Sequence, residues 1–265
     1  MVAQQATVRV LVVNPNSSRD MTHGVENAIR SIGLPKSLQL STYTAPTESP
    51  ASIDDGGDLE KSTAVVLSGF DFEHAAQNYD AILVACFSVH PLVTALSKRL
   101  AGTKVHVTGI FEASLVTALT LLPAYPFSVD AATKTWGIVT TGKFWEQHLT
   151  DGAAAFIGHH GGPKSSKFAG VYSTGLNAGD FHGGVSPEVI RAKLKEATKG
   201  LLSSSDVGCV VMGCAGMAGL EEIIREAARD QYGDEAGNRV YIVDGVKAGA
   251  GLLDQAVKNA RLFQE

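Results

Sequence analysis

Short β-branched apolar runs alternate with longer amphipathic stretches along the whole chain. Residues 8–13 form such a run, stopped by Asn14 and Pro15, and the pattern predicts a buried strand there. A helix capped by Ser17 or Ser18 follows to about Ile32, closed by Gly33 and Pro35. The same reading places strands at 38–43, 81–86, 104–108, 135–140, 168–172, 207–213 and 239–243, with helical stretches between them. The best-marked helices are 187–202, with Ser186 at the cap and Pro187 at the first helical position, and 216–232, ended by Gly233. Eight strand-then-helix units result, an order that gives parallel sheets covered by helices, so the expected fold class is α/β.

Eight such units can close into one barrel or form two halves, and an internal repeat decides between them. Leu11-Val12-Val13-Asn14 aligns with Ile138-Val139-Thr140-Thr141, 127 residues on, and the run ending at Cys86 with the run ending at Cys214, 128 residues on. Ile110-Phe111-Glu112-Ala113 aligns with Gly245-Val246-Lys247-Ala248 at an offset of 135. Two pseudo-symmetric domains are therefore expected, each a four-stranded, mainly parallel sheet flanked by helices. The first spans 1–120 and the second 121–245, with a seam at 122–134 interrupted by Pro123 and Pro126, and the last helix, 246–265, packing back on the first half.

Composition narrows the function. Lys and Arg total 22 against 27 Asp and Glu, so the net charge of −5 gives no cationic field for nucleic acid or an anionic membrane. No apolar stretch reaches the roughly 18 residues of a membrane span, and the first seven residues carry no signal-peptide pattern, so a cytoplasmic protein is expected. Three cysteines are too few for a disulfide scaffold and read as packing atoms or reactive thiols.

In open α/β sheets ligands bind beyond the carboxyl ends of the strands. Asn16 and Ser17 follow the first strand, and Thr140 and Thr141 end its repeat partner, offering amide and hydroxyl donors. Cys86 and Cys214 each end a strand and are expected to open a helix, whose free N–H groups and dipole would favour the thiolate. Ser88, Val89, Ala215 and Gly216 follow the two thiols and are expected to contact substrate, whereas Cys209, inside its strand, reads as a packing residue. Two acid/base groups related by a repeat suit inversion of a carbon, one thiolate taking its proton while a thiol on the other face returns one. That is cofactor-independent racemisation of a small-molecule substrate, with the carbanion charge spread into a neighbouring carbonyl. His90, Glu112 and Tyr43 are candidate modulators beside it, while His90 also reads as a helix-start residue, Glu112 more readily as a helix cap, and Tyr43 as core. The pairs His159-His160 and His182-Gly183 lack metal-ligand spacing, so no metal is expected, and the Gly-rich segments 158–166 and 175–184 read as flaps.

The ordered set VVNPNSS, SPASIDD, ACFSVHP, GIFEAS, GIVTTG, VVMGCAGM and VDGVKAG, spread over nearly the whole chain, resembles the aspartate/glutamate/hydantoin racemase superfamily and within it the hydantoin and allantoin racemase branch, fungal members included. The resemblance implies two α/β domains with the active site in the cleft between them, Cys86 and Cys214 as the acid/base pair, no cofactor, and homo-oligomers. Ser88-Val89-His90 departs from the acidic residue that bacterial hydantoin racemases carry soon after the first cysteine. The alternatives are a maleate-type cis-trans isomerase or arylmalonate-type decarboxylase on the same scaffold, or a non-catalytic binding protein.

Overall fold

The computed structural model describes residues 7–31, 33, 37–123, 134–158 and 167–264. The expected helix end at Ile32 and Pro35, the seam residues 124–133, and residues 159–166 of the first Gly-rich segment, His159-His160 among them, lie outside them. Strands and helices alternate as β1 (Val8–Asn14), α1 (Arg19–Ser31), β2 (Leu38–Thr44), α2 (Gly56–Gly69), α3 (Phe72–Asn78), β3 (Ala81–Val84), α4 (Pro91–Arg99), β4 (His106–Gly109) and α5 (Ile110–Leu121). Then follow β5 (Thr135–Thr140), α6 (Phe144–Phe156), β6 (Phe168–Ser173), α7 (Pro187–Leu202), β7 (Val207–Gly213), α8 (Glu221–Tyr232), α9 (Asp234–Asn238), β8 (Tyr241–Asp244) and α10 (Gly245–Phe263). Two compact units contain them: one holds the chain up to Cys86, His90–Ile110 and Val246 onward, the other Phe87–Val89 and Phe111–Gly245.

Each unit has its own four-stranded sheet, ordered β2-β1-β3-β4 in the first and β6-β5-β7-β8 in the second, and every strand pair is parallel. The alternation of side chains along a strand sends Leu11, Val13, Ile82 and Val84 to one face, where α2, α3 and α4 add Val66, Ala75, Leu92 and Leu96 and the link between α2 and α3 adds Phe70. Val139, Val210 and Met212 do the same in the second sheet, against Leu194, Leu201, Ile223 and Ile224 of α7 and α8. On the other face of the first sheet α10 lies so close to β3 that a Cβ at Gly249 would come within 2.5 Å of Leu83 Cδ1. No helix among the described residues is long and apolar enough to cross a membrane.

The ladders correct the repeat by one residue. Val13 pairs with Val84 and Tyr43 in the first sheet, and Val139 pairs with Met212 and Tyr172 in the second. Val13 therefore corresponds to Val139, an offset of 126 rather than 127, while the offsets of 128 for β3 and 135 for β4 agree with the pairing of Val84 with Gly109 and Met212 with Asp244. Burial supports the correction, since Val13 and Val139 occupy equivalent core clusters and a slip of one would turn the whole strand over. Asn14 thus corresponds to Thr140, and Tyr43 to Tyr172.

At the amino-terminal edge of the first sheet Asp80 joins three elements. Its carboxylate accepts the Arg9 backbone N–H at 2.8 Å and Arg9 Nε at 3.2 Å, and Arg261 of α10 lies 3.3 Å away. Partial burial alone would raise the Asp80 pKa, but the Arg9 hydrogen bonds and the charges of Arg9 and Arg261 more than offset it and hold the carboxyl below the usual range. A folded-state pKa below the unfolded one stabilises the fold above the unfolded value, and that contribution is lost as pH falls through the folded value. Asp80→Asn is expected to lower stability at neutral pH by at most about 1 kcal/mol, because both partners reach solvent. Urea unfolding at neutral pH and near pH 3 checks it: the gap between variant and parent must narrow in acid, and a gap that stays constant assigns the loss to packing instead.

Candidate active site

The order β2-β1-β3-β4 means that the chain leaves β1 toward one edge of the sheet and later leaves β3 toward the other. The carboxyl ends of β1 and β3 therefore flank the switch point where an open parallel sheet leaves a crevice, as do those of β5 and β7 in the second sheet. Cys86 lies two residues past β3, beyond Ala85, whose N–H extends the ladder to Val13 O at 2.8 Å. Cys214 follows the last residue of β7. With the β3-to-β7 offset of 128, the two thiols fall at the same register position of the two sheets. Each side chain is half-buried, and all three cysteines are reduced thiols.

Cys209, inside β7, corresponds to Ala81, is fully buried, and has its thiol pKa pushed up to about 12 by desolvation. The site thiols are set apart from it by position and by access to solvent.

The surroundings of the two thiols differ. Cys214 caps a 3₁₀ turn, Ala215–Met217, and its Sγ accepts the Gly216 N–H at 3.3 Å. Gly219, at φ +88°, then breaks the turn before α8 begins at Glu221, so the expected single helix over 216–232 is two pieces. Cys86 does not open a helix. Phe87, Ser88, Val89 and His90 intervene, and α4 begins only at Pro91, with His90 as its cap. Pro at the first helical position fixes φ where no N–H partner is needed, so VHP marks the true start. The first turn of α4 therefore begins five residues beyond Cys86.

His90 is 2% exposed. Its Nδ1 accepts the Leu92 N–H at 3.2 Å, which puts the ring proton on Nε2, 3.3 Å from Ser62 Oγ of α2. The ring ties α4 to α2. Ser88 is fully buried, Val89 is 42% exposed, and Ala215 is half-buried beside buried Gly216.

The polar loop after β1 spends most of its donors on itself. Asn14 Nδ2 donates to Asn16 Oδ1 at 2.8 Å and Thr22 Oγ1 at 3.0 Å, and Asn16 Oδ1 accepts the Ser18 N–H at 2.9 Å. Among the described residues Asn16 Nδ2 donates to the weak acceptor Met21 Sδ at 3.0 Å. Ser18 Oγ, not Ser17, caps α1 through the Met21 N–H at 3.2 Å. Ser17 donates its hydroxyl to Ser49 O at 3.0 Å and its N–H to Pro50 O at 2.9 Å, while Ser49 Oγ donates to Pro15 O at 2.6 Å. The segment 45–55 is thus a second wall of this loop, one that hydrophobic periodicity could not locate. In the second unit Thr140 Oγ1 donates to Gly213 O at 2.9 Å, and Thr141 O accepts the Gly175 N–H at 2.9 Å. Both threonines are buried.

Tyr43 packs edge-on against Phe70 at 5.9 Å, burial raises its phenol pKa, and its counterpart Tyr172 packs on the equivalent core cluster. Both are supports beneath the strand ends. Glu112 lies in the first turn of α5. Among the described residues no three His, Cys, Asp or Glu side chains gather as a metal site.

The family profile described as Asp/Glu/Hydantoin racemase matches residues 10–253. An uncharacterized protein of Schizosaccharomyces pombe is 34% identical over 252 residues, 95% of this chain and 92% of that one. A hydantoin racemase of Paenarthrobacter aurescens is 25% identical over 250 residues, covering 94% of this chain and 91% of its own. Among solved structures, an allantoin racemase from Klebsiella pneumoniae superposes with a TM-score of 0.74 at 24% identity, covering 96% of this chain and 89% of that one.

Proposed function

From the chain's membership of the Asp/Glu/hydantoin racemase family we propose that it is a cofactor-independent racemase or epimerase of a hydantoin- or allantoin-like stereocentre, with Cys86 and Cys214 as its acid and base. The observation that carries this reading is the register equivalence of the two thiols, each just past the central strand at its sheet's switch point. A binding protein would have no need of two such groups, and the third cysteine has an alanine as its counterpart. The names of the Paenarthrobacter relative and the Klebsiella fold neighbour add support for the substrate class.

The proposed chemistry needs two sulfurs on opposite faces of one carbon. A thiolate removes the proton beside the carbonyl, whose oxygen takes up the negative charge, leaving a planar enolate. The opposite thiol then delivers its proton to the other face. Each turnover breaks one C–H bond, makes another, and exchanges the protonation states of the two sulfurs, so no net electron change occurs. Backbone N–H groups after each cysteine are suited to stabilise the enolate oxygen, as the Gly216 N–H already does for Cys214 Sγ.

The test is proton NMR in D2O with enantiopure 5-substituted hydantoins, allantoin, aspartate, glutamate, maleate and an arylmalonate, recording optical rotation alongside. Loss of the α-proton signal together with optical activity, and no new product, is the expected result for a hydantoin or allantoin. A new product from maleate or the malonate would replace the racemase reading with isomerase or decarboxylase.

A further inference from the structure

Gly152 sits in the interior of α6, where glycine costs about 1 kcal/mol relative to alanine and no unusual φ asks for it. The reason lies in what approaches it. A Cβ at this position would be 2.3 Å from Val89 Cγ2 and 3.1 Å from Phe111 Cζ. Val89 ends the three-residue loop that follows Cys86, and the rest of that loop is held just as closely. Phe87 stands edge-on to Phe111 with ring centres 5.5 Å apart at 88°, and Ser88 is fully buried. These residues all belong to the second unit, although Cys86 belongs to the first.

Resting on the assignment of Cys86 as an acid/base group, we propose that Gly152 is a positioning residue for Cys86: the notch left by its missing side chain seats Val89 and so fixes the backbone that presents the thiol. An alanine there must push Val89 Cγ2 out by about 1.2 Å to restore an ordinary carbon–carbon separation of about 3.5 Å. Val89 is β-branched and stiff at χ1, so it does not absorb the shift by turning. Phe87 and Ser88 are buried, with no solvent into which they can swing aside, so the displacement passes along this short segment toward Cys86.

The experiment compares Gly152→Ala, Val89→Ala and the double variant for kcat, KM and the rate of alkylation of each cysteine by iodoacetamide, read by peptide mass spectrometry across neutral pH. Gly152→Ala is expected to lower kcat by about tenfold or more with little change in KM, and to change the Cys86 alkylation rate at least about threefold. Cys214 should react at its original rate, and Cys209 should stay inert with its thiol pKa pushed up to about 12. Unfolding temperature and circular dichroism report whether the fold itself is intact. Removing the Val89 methyls leaves only the milder approach to the Phe111 ring at 3.1 Å, so adding Gly152→Ala to the Val89→Ala chain should change kcat and the alkylation rate much less than it does in the parent. A Cys86 alkylation rate in Gly152→Ala equal to that of the parent would overturn the proposal, as would an effect of Gly152→Ala that persists undiminished in the Val89→Ala background. The alkylation arm needs no turnover, so it decides the role of Gly152 even if the panel of substrates shows that the racemase reading is wrong.

Discussion

Replacing either Cys86 or Cys214 with serine is expected to lower kcat for the proposed racemisation by about 10²- to 10⁴-fold, the range that a positioned acid or base contributes. A hydroxyl occupies nearly the same space as the thiol but is a much weaker acid, so it neither delivers its proton nor persists as an anion near neutral pH. Loss on changing either residue is the signature of two bases, because each enantiomer needs one group to take the proton and the other to return it. Cys209→Ala is the control: this residue lies inside β7 and is fully buried, so its loss is expected to cost stability while kcat is retained. Polarimetry combined with deuterium uptake measures all three. Undiminished kcat in either serine variant rules out the two-base assignment, whatever the other variant does.

The parts of this site that were legible in the sequence are those set by short-range chemistry. The β-branched runs at β1, β5 and β7 and the Ser186-Pro187 start of α7 are local signals, and the structure places elements there. The two thiols stood out because each follows an apolar run at a repeat of 128 residues, a pattern independent of tertiary contacts. The one-residue slip between β1 and β5 arose because aligned Val, Leu and Ile carry no information about which face they occupy; only the ladder partners Val84 and Met212 fix it. The helix placed at Cys86 failed for a different reason, since a thiol after a strand suggests a helix start while the stronger signal, Pro91 at the first helical position, lies five residues on. The bonds among Asn14, Asn16, Thr22 and the segment 45–55 were out of reach, because they depend on which loops the sheet order brings together. Gly152 was illegible for the same reason: its meaning is a neighbour distant in sequence.

Gly213→Ala is the second large effect, and it arises where the two halves depart from their symmetry. The position corresponds to Ala85 in the first sheet, which tolerates a Cβ, yet at Gly213 a Cβ would lie 2.8 Å from both Ile138 Cγ2 and Thr140 Cβ and 2.9 Å from Val139 O. Two of these contacts are with short, branched side chains and the third with backbone, so nothing flexible can yield. Thr140 Oγ1 also donates to the Gly213 carbonyl at 2.9 Å, tying the ends of β5 and β7 together beside Cys214. Spreading the strands to admit a methyl group strains that bond and is expected to cost about 1–3 kcal/mol of stability. It also moves the adjacent thiol, so kcat should fall by about tenfold or more while KM changes less. Urea unfolding and turnover on the same preparation separate the two consequences. A stable variant with full activity would show that the end of β7 relaxes without disturbing Cys214, whereas a loss of stability with kcat retained would confine the role of Gly213 to packing. The combined loss is expected because the residue that closes the sheet here, Gly213, directly precedes the one that carries the thiol, Cys214.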